Sequence, residues 1–123
     1  MTTYIEDKDG NSIESSKATS MPSDKHFRNA WSLSGTVISE DMTAAKVIFK
    51  DKIRQVRKPL LEAQDVLYMK AIEDGDSSAQ STVATKKKEL RDAPAASAIT
   101  NATTITELKA AWNTSLLGAS PYA

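Results

Sequence analysis

The chain has 123 residues, a length that fits one small domain with appendages. Its 16 Lys and Arg residues balance 16 Asp and Glu residues, and this zero net charge argues against a dedicated nucleic-acid-binding protein. The chain contains no cysteine, which excludes disulfides and thiolate zinc sites. No apolar run approaches the roughly 20 residues that span a bilayer, and the acidic N-terminus does not resemble a signal peptide. We expect a soluble protein, made in a reducing cytoplasm, with no membrane partner.

Residues 1–25 are predicted to form an extended arm and a linker. Asp-Gly at residues 9–10 separates two short β-prone runs, 3–6 and 11–14, a pattern that favours a short β-hairpin. The acids of this turn do not match a calcium-binding loop, because the glycine has the wrong offset and no acid closes the loop. We therefore expect no metal site here.

The segment 26–38 is the most aromatic part of the chain. Trp31, Val37 and Ile38 indicate a short strand or turn that docks on the long helix that follows. His26 is the only histidine, so it cannot form a catalytic pair or a metal cluster with a second one. We expect it to lie on the surface.

A long amphipathic helix is predicted over residues 41–74, with Ser39 or Asp41 as its N-terminal cap. Between Phe49 and Leu67 its apolar spacing matches the a/d positions of a coiled coil. Pro59 indicates either a kink or a junction of two helices, and the unbroken stripe favours the kink. The apolar stripe needs cover from the rest of the chain or from another chain. The stripe, termed the seam below, consists of Phe49, Ile53, Val56, Leu60, Ala63, Leu67 and Ala71.

A second helix is predicted over residues 77–92, after a turn in which Gly75 suits the left-handed position that ends a helix. Ser77 and Gln80 have the spacing of a capping box. Two helices joined by so short a turn form an antiparallel hairpin. Residues 86–88, three lysines, are expected to form a solvated face.

The fold class is therefore predicted as mainly α: a helical hairpin, a short C-terminal helix and an extended N-terminal arm. Residues 95–103 are predicted as a loop, and the C-terminal helix over 104–116. The helical domain spans 26–117, followed by a tail at 118–123. No catalytic motif is present, and the densest acids lie on a helix exterior and its turn. We expect no enzymatic activity and no cofactor.

Several short motifs in the chain form a recognisable pattern. They are Phe27-Arg28-Asn29-Ala30-Trp31, Ile53-Arg54, Arg57, Leu60-Leu61, Asp65, Lys87-Lys88-Glu89-Leu90-Arg91-Asp92, Pro94 and Thr106-Glu107-Leu108-Lys109-Ala110-Ala111-Trp112. These motifs resemble the bacteriophage tail assembly chaperone family, which includes small proteins associated with tail fibres. The resemblance covers roughly residues 26–112. The chain departs from the family pattern at Pro59, where a polar residue is usual, and at 66–68, where the family usually has a Trp.

The resemblance implies a non-enzymatic tail protein that binds a tail-fibre or baseplate partner and remains in the virion after synthesis in the bacterial host. The alternative is a transient tail-fibre assembly chaperone that is absent from the mature particle. A homo-oligomer is a further expectation. We expect the seam to be covered partly by two tryptophans and partly by the partner, with two arginines as forked donors to partner carboxylates. The predicted partner-binding residues are Trp31, Phe49, Ile53, Arg54, Val56, Arg57, Leu60, Leu67 and Trp112.

Overall fold

A computed structural model describes residues 3–122, so the predictions for residues 1, 2 and 123 lie outside it. The fold is mainly α, with two small antiparallel strand pairs. Single 3₁₀ turns cover 15–17, 28–30 and 93–95. The strands and helices are β1 (Tyr4–Glu6), β2 (Ser12–Glu14), β3 (Trp31–Ser34), β4 (Val37–Glu40), α1 (Met42–Glu73), α2 (Ser77–Asp92), α3 (Ser97–Asn101), α4 (Ile105–Ala110) and α5 (Thr114–Leu117).

The two strand pairs pack against each other through a small apolar cluster. β1 pairs with β2, with Ile5 opposite Ile13, which agrees with the short hairpin predicted there. β3 pairs with β4, with Leu33 opposite Ile38. The side chains of Ile5, Trp31 and Ile38 are buried together. The first strand pair therefore folds against the second across the boundary predicted at residue 25.

The buried carboxylate of Asp7 joins these two strand pairs. Its Oδ1 atom accepts hydrogen bonds from the amides of Asp9 and Asn11, both at 2.9 Å. Its Oδ2 atom accepts the amide of Leu33 on β3 at 2.8 Å. These hydrogen bonds, led by the one from Leu33, hold the pKa of Asp7 below its usual value. The carboxylate thus serves as a turn cap and a bridge.

α1 is one helix from Met42 to Glu73 with Pro59 in its interior, so the alternative of two helices meeting at the proline is wrong. The side chain of Asp41 caps it by accepting the amide of Ala44 at 3.2 Å. Pro59 is exposed, which places its ring on the solvent side of the helix. An exposed ring avoids a clash with the core, although the backbone donor is still lost.

Residues within the turn itself determine the turn between α1 and α2. Gly75 has φ of +63°, the left-handed conformation predicted for it. The capping residue is Asp76, which accepts the amide of Ala79 at 2.9 Å, and the prediction of Ser77 as the cap is wrong. Gln80 does not close a capping box; its Nε2 atom donates to the carbonyl of Ala71 at 3.4 Å.

The C-terminal part differs from the prediction in two places. Residues 95–103 contain α3, whose Ile99 is buried in the core. The helix predicted over 104–116 is split into α4 and α5, because Asn113 starts a new helix by accepting the amide of Leu116 at 3.1 Å. Thr104 caps α4 by accepting the amide of Glu107 at 3.1 Å.

The main core lies at the N-terminal half of α1. The short helices α3, α4 and α5, the C-terminal end of α2 and the turn at 28–30 cover that half. Tyr122 also packs against this core, although residues 118–123 are predicted as a separate tail. The buried residues of the core are Phe27, Ala30, Ala45, Phe49, Ile53, Leu90, Ile99, Ala102, Ile105, Leu108, Trp112 and Leu117.

Candidate protein-interaction surface

The seam of α1 changes from buried to exposed along its length. Phe49 and Ile53 are fully buried in the main core. Val56 and Leu60 are half-buried and pack against the same core. Leu67, two turns further on, is 48% exposed. The chain therefore covers its own seam up to Leu60 and again at the buried Ala71, and it leaves Ala63 and Leu67 open between them.

Aromatic side chains cover the buried part of the seam. The rings of Phe49 and Trp112 meet edge to face, with centroids 5.8 Å apart. Tyr122 stacks on Phe49 at 5.6 Å and on Phe27 at 4.8 Å. The indole nitrogen of Trp112 donates to the carbonyl of Gly118 at 3.0 Å, which fixes the end of α5. Trp112 thus covers the seam as predicted.

Trp31 does not cover the seam, and this part of the prediction is wrong. It is buried beside Ile5 and Ile38 in the cluster between the strand pairs. Alternation along β3 turns its side chain toward β1, and the Arg28 guanidinium lies 6.0 Å from its ring. Phe27 occupies the place on α1 that Trp31 was predicted to fill, with its ring centroid 6.4 Å from that of Phe49.

The two arginines predicted to contact a partner lie in different environments. Arg57 is half-buried, and its Nη1 atom donates to the carbonyl oxygens of Arg91 at 2.8 Å and Leu90 at 3.4 Å. It therefore satisfies the end of α2 within the chain. Arg54 is exposed and pairs with Asp51 at 2.7 Å, one turn earlier on α1. A solvent-exposed pair of this kind is weak, so the guanidinium of Arg54 can exchange partners.

Four large apolar side chains are exposed on the last two turns of α1. Val66 is 69% exposed, Met69 is 59%, Ile72 is 49% and Leu67 is 48%. α2 packs against this part of α1, where Gln80 donates to the carbonyl of Ala71. These side chains do not form one patch, because Leu67 lies on the side of the helix opposite to Met69 and Ile72. We call Leu67 and the exposed Ala63 before it the distal seam, because they continue the buried seam.

α2 is held against the same part of α1 by one cation. The Lys87 ammonium lies 2.6 Å from Oδ1 of Asp65 and 5.5 Å from the centre of the Tyr68 ring. Its side chain is largely buried, whereas that of Asp65 is mostly exposed. The middle lysine of residues 86–88 therefore packs on α1 instead of forming a solvated face.

A polar group lies at the opposite end of the molecule, where α4 meets the segment before β3. Asp24 contacts the ammonium of Lys109 and accepts the amide of His26 at 3.0 Å. These contacts, led by that with Lys109, hold the pKa of Asp24 below its usual value. His26 also lies 2.7 Å from Lys109, so the only histidine is part of this group. These contacts tie the linker to α4.

Glu40 lies near this group. Its environment disfavours the ionised carboxylate, whereas the environment of Asp24 favours it. Its Oε2 atom is buried and has no hydrogen-bond partner within residues 3–122. Burial raises the pKa of Glu40, and the charge of Asp24 raises it further. This carboxylate costs stability when it is ionised.

An apolar cleft opens beside the covered part of the seam. It has a volume of about 540 Å³ and lies between the C-terminal end of α2, the turn at 93–95 and α5. Ile53, Leu116 and Leu117 line its floor, and Glu89 and Asp92 stand at its rim. No group of three or more His, Asp and Glu side chains in residues 3–122 could hold a metal ion. Within that range, no helix has the length and apolar character to cross a membrane.

The chain matches no family model, no curated protein and no solved structure in comparisons with known proteins. The candidate surface therefore depends on the geometry described above. Sequence reasoning missed the exposure of Val66 and Met69, because they lie outside the seam stripe. Which positions of α1 stay uncovered depends on the packing of the other helices, so the sequence alone carries no signal for it.

Proposed function

We propose that this chain is a non-enzymatic structural protein of a bacteriophage tail, which binds a tail-fibre or baseplate protein and remains in the virion. The observation that carries the proposal is the open distal seam. Leu67 is half exposed in a stripe whose other members, apart from Ala63, are buried or half-buried, and burying such a leucine contributes roughly 1.5–3 kcal/mol. The resemblance of residues 26–112 to tail assembly chaperones supports the identity of the partner.

In this proposal α1 and α2 form a helical hairpin that projects from the main core. The core, with Phe49, Ile53 and Trp112 inside it, holds the base of the hairpin. The partner covers Leu67 and the exposed part of the Leu60 side chain. Arg54 does not belong to this surface, because it is exposed on the side of α1 away from Leu67.

Quantitative mass spectrometry of purified particles tests the structural role. The proposal predicts the chain in particles at a fixed ratio to a fibre or baseplate protein. Absence from particles, together with misfolded fibres when the gene is deleted, would instead support the transient chaperone. Hydrolysis of a bacterial polysaccharide that is lost on Asp65→Asn would contradict the non-enzymatic reading.

A pair of variants tests the surface itself. Leu67→Glu places a charge on the distal seam and should abolish partner binding while leaving the circular dichroism spectrum unchanged. Ser81→Glu is the matched control, because Ser81 is exposed on α2 and lies on the side of that helix away from Val83 and Leu90. Equal binding by both variants would contradict the assignment of Leu67.

A further inference from the structure

A second stripe runs along α1 on the side away from the core, and every residue in it is exposed. Its members recur at intervals of three or four residues, so they share one helix face. The two ends of the stripe are apolar and the middle is charged. We call this stripe the outer face of α1; it consists of Val47, Asp51, Arg54, Lys58, Glu62, Asp65, Met69 and Ile72.

The charges of α1 are divided between its two halves. Residues 42–59 contain six Lys and Arg residues and one Asp, whereas residues 60–73 contain three acids and one Lys. The helix macrodipole favours acids near the N-terminus and bases near the C-terminus, so this distribution is opposite to the one that stabilises an isolated helix. Two of the six basic residues have contacts within the chain, since Lys46 donates to the carbonyl of Thr100 and Arg57 to that of Arg91, both at 2.8 Å. The exposed Arg54 and Lys58 are available for contacts outside it.

We propose that a second copy of this chain binds the outer face of α1, with the two helices antiparallel and related by a two-fold axis near Pro59. An antiparallel pair places the basic half of each helix beside the acidic half of the other, whereas a parallel pair would place like charges together. Two-fold symmetry requires one surface that is complementary to itself. The outer face of α1 has that property.

The individual contacts follow from placing residues 59–60 of the two copies opposite each other. Arg54 then lies level with Asp65 of the second copy, and Lys58 lies within about one residue, 1.5 Å, of the level of Glu62 of the second copy. At each end Val47 lies level with Ile72 of the second copy, on the same side of the interface. Each contact occurs twice because of the two-fold axis. Two apolar pairs thus flank four opposite-charge pairs.

The charges on this face are free to form such contacts. Arg54 is held only by the exposed Asp51, and Asp65 uses Oδ1 for Lys87 while its side chain remains 58% exposed. Exposed ion pairs contribute little to stability, so their exchange costs little. The outer face is also distinct from the distal seam, since Leu67 lies on the other side of α1 from Met69. The inference therefore does not depend on the proposed function.

Cysteine cross-linking tests both the pairing and its direction, because the native chain contains no cysteine. Purified Val47→Cys and Ile72→Cys chains are mixed and oxidised. We expect a disulfide between the two variants and none within either variant alone, because two Val47 positions would be about 38 Å apart at 1.5 Å per residue. Ser81→Cys mixed with Ile72→Cys is the control and should not cross-link.

Three results would overturn the proposal: cross-linking of Val47→Cys with itself, cross-linking of the Ser81 control at the same rate, or no cross-link in the mixture. Self-linking of Val47→Cys would indicate parallel pairing. All variants are first checked for an unchanged circular dichroism spectrum, so that a lost cross-link is not a lost fold.

Sedimentation equilibrium provides an independent measurement. Lys58→Glu should raise the dimer dissociation constant by about tenfold or more, because like charges then meet at both symmetry-related contacts. The double variant Lys58→Glu with Glu62→Lys restores opposite charges and should restore the dimer. A wild-type chain that stays monomeric up to about 1 mM would contradict the proposal, as would a double variant that associates no better than the single one.

Discussion

The guanidinium of Arg57 donates a 2.8 Å hydrogen bond to the carbonyl oxygen of Arg91, the penultimate residue of α2. The last carbonyls of a helix have no hydrogen-bond donors within it and carry partial negative charge. A cationic donor there supplies the missing hydrogen bonds and neutralises that charge. The two residues are 34 positions apart in sequence. This contact fixes the end of α2 against the middle of α1, beside the point where the seam becomes exposed.

Arg57→Ala should destabilise the fold by about 1–2 kcal/mol, since it removes charge-assisted hydrogen bonds from partly buried carbonyls. Arg54→Ala is the matched control on the same helix and should change the free energy of unfolding by no more than about 0.5 kcal/mol, because its ion pair is exposed. Urea denaturation measures both. A larger loss for Arg54→Ala would show that the roles of the two arginines are reversed.

Pro59→Ala should stabilise the protein, by about 1–3 kcal/mol. The substitution restores a backbone donor to the carbonyl of Gln55 in the middle of α1 and removes the clash of the ring with that carbonyl. Thermal denaturation should show a higher melting temperature. Pro94→Ala provides the contrast, because Pro94 is buried at the start of a 3₁₀ turn, where its fixed φ is favourable. A lower melting temperature for Pro59→Ala would contradict this account of the helix.

The contribution of Asp7 to the free energy of unfolding should depend on pH. Its pKa is lowered in the folded state, so its contribution is present above the unfolded value near 3.8 and is lost as pH falls through the folded pKa. Asp7→Ala should therefore be less stable than wild type at pH 7, and this difference should shrink below about pH 4. Asp9→Ala, whose carboxylate is exposed beside Lys8, is the control and should show a smaller difference. A pH-independent effect of Asp7→Ala would argue against the bridge through its carboxylate.

Ionisation of Glu40 should change the free energy of unfolding in the direction opposite to that of Asp7. Because its folded pKa is raised, the folded state binds the proton more tightly, and stability falls as pH rises from the unfolded value through the folded one. Glu40→Gln should melt at a higher temperature than wild type at pH 7, and at about the same temperature near pH 3, where both side chains are neutral. Glu73→Gln, on the exposed end of α1, should have no such effect. A destabilised Glu40→Gln at pH 7 would contradict the unpaired burial of this carboxylate.

The bounds of α1 and α2 follow from local signals in the sequence. The seam has helical spacing, Asp41 can cap α1, and Gly75 permits the left-handed turn. The observed bounds accordingly differ from the predicted ones by no more than one residue. The cap of α2 was assigned to the wrong residue because Asp76 and Ser77 are both good capping types, and only the backbone conformation distinguishes them.

Other features depend on contacts that are distant in sequence. The small and β-branched residues around Ile99 show no helical stripe, and α3 forms because that side chain enters the core. Trp31 could have packed on either α1 or β1, and the pairing of β3 with β4 decided the outcome. The contact of Arg57 with the end of α2 likewise required the packing of the two helices. The sequence predicts that part of the seam stays open, but which part it is depends on where the C-terminal helices pack on α1.

Site-specific photo-cross-linking can show whether Leu67 contacts a tail-fibre or baseplate protein in the particle. A benzoylphenylalanine side chain replaces Leu67 in one variant and Ser81 in the other, and particles assembled with each variant are irradiated and analysed by mass spectrometry. We expect position 67 to cross-link to a tail-fibre or baseplate protein and position 81 to give no such product. Particles that contain the chain but give no cross-link from position 67, or equal cross-links from both positions, would contradict the distal seam as the partner-binding surface.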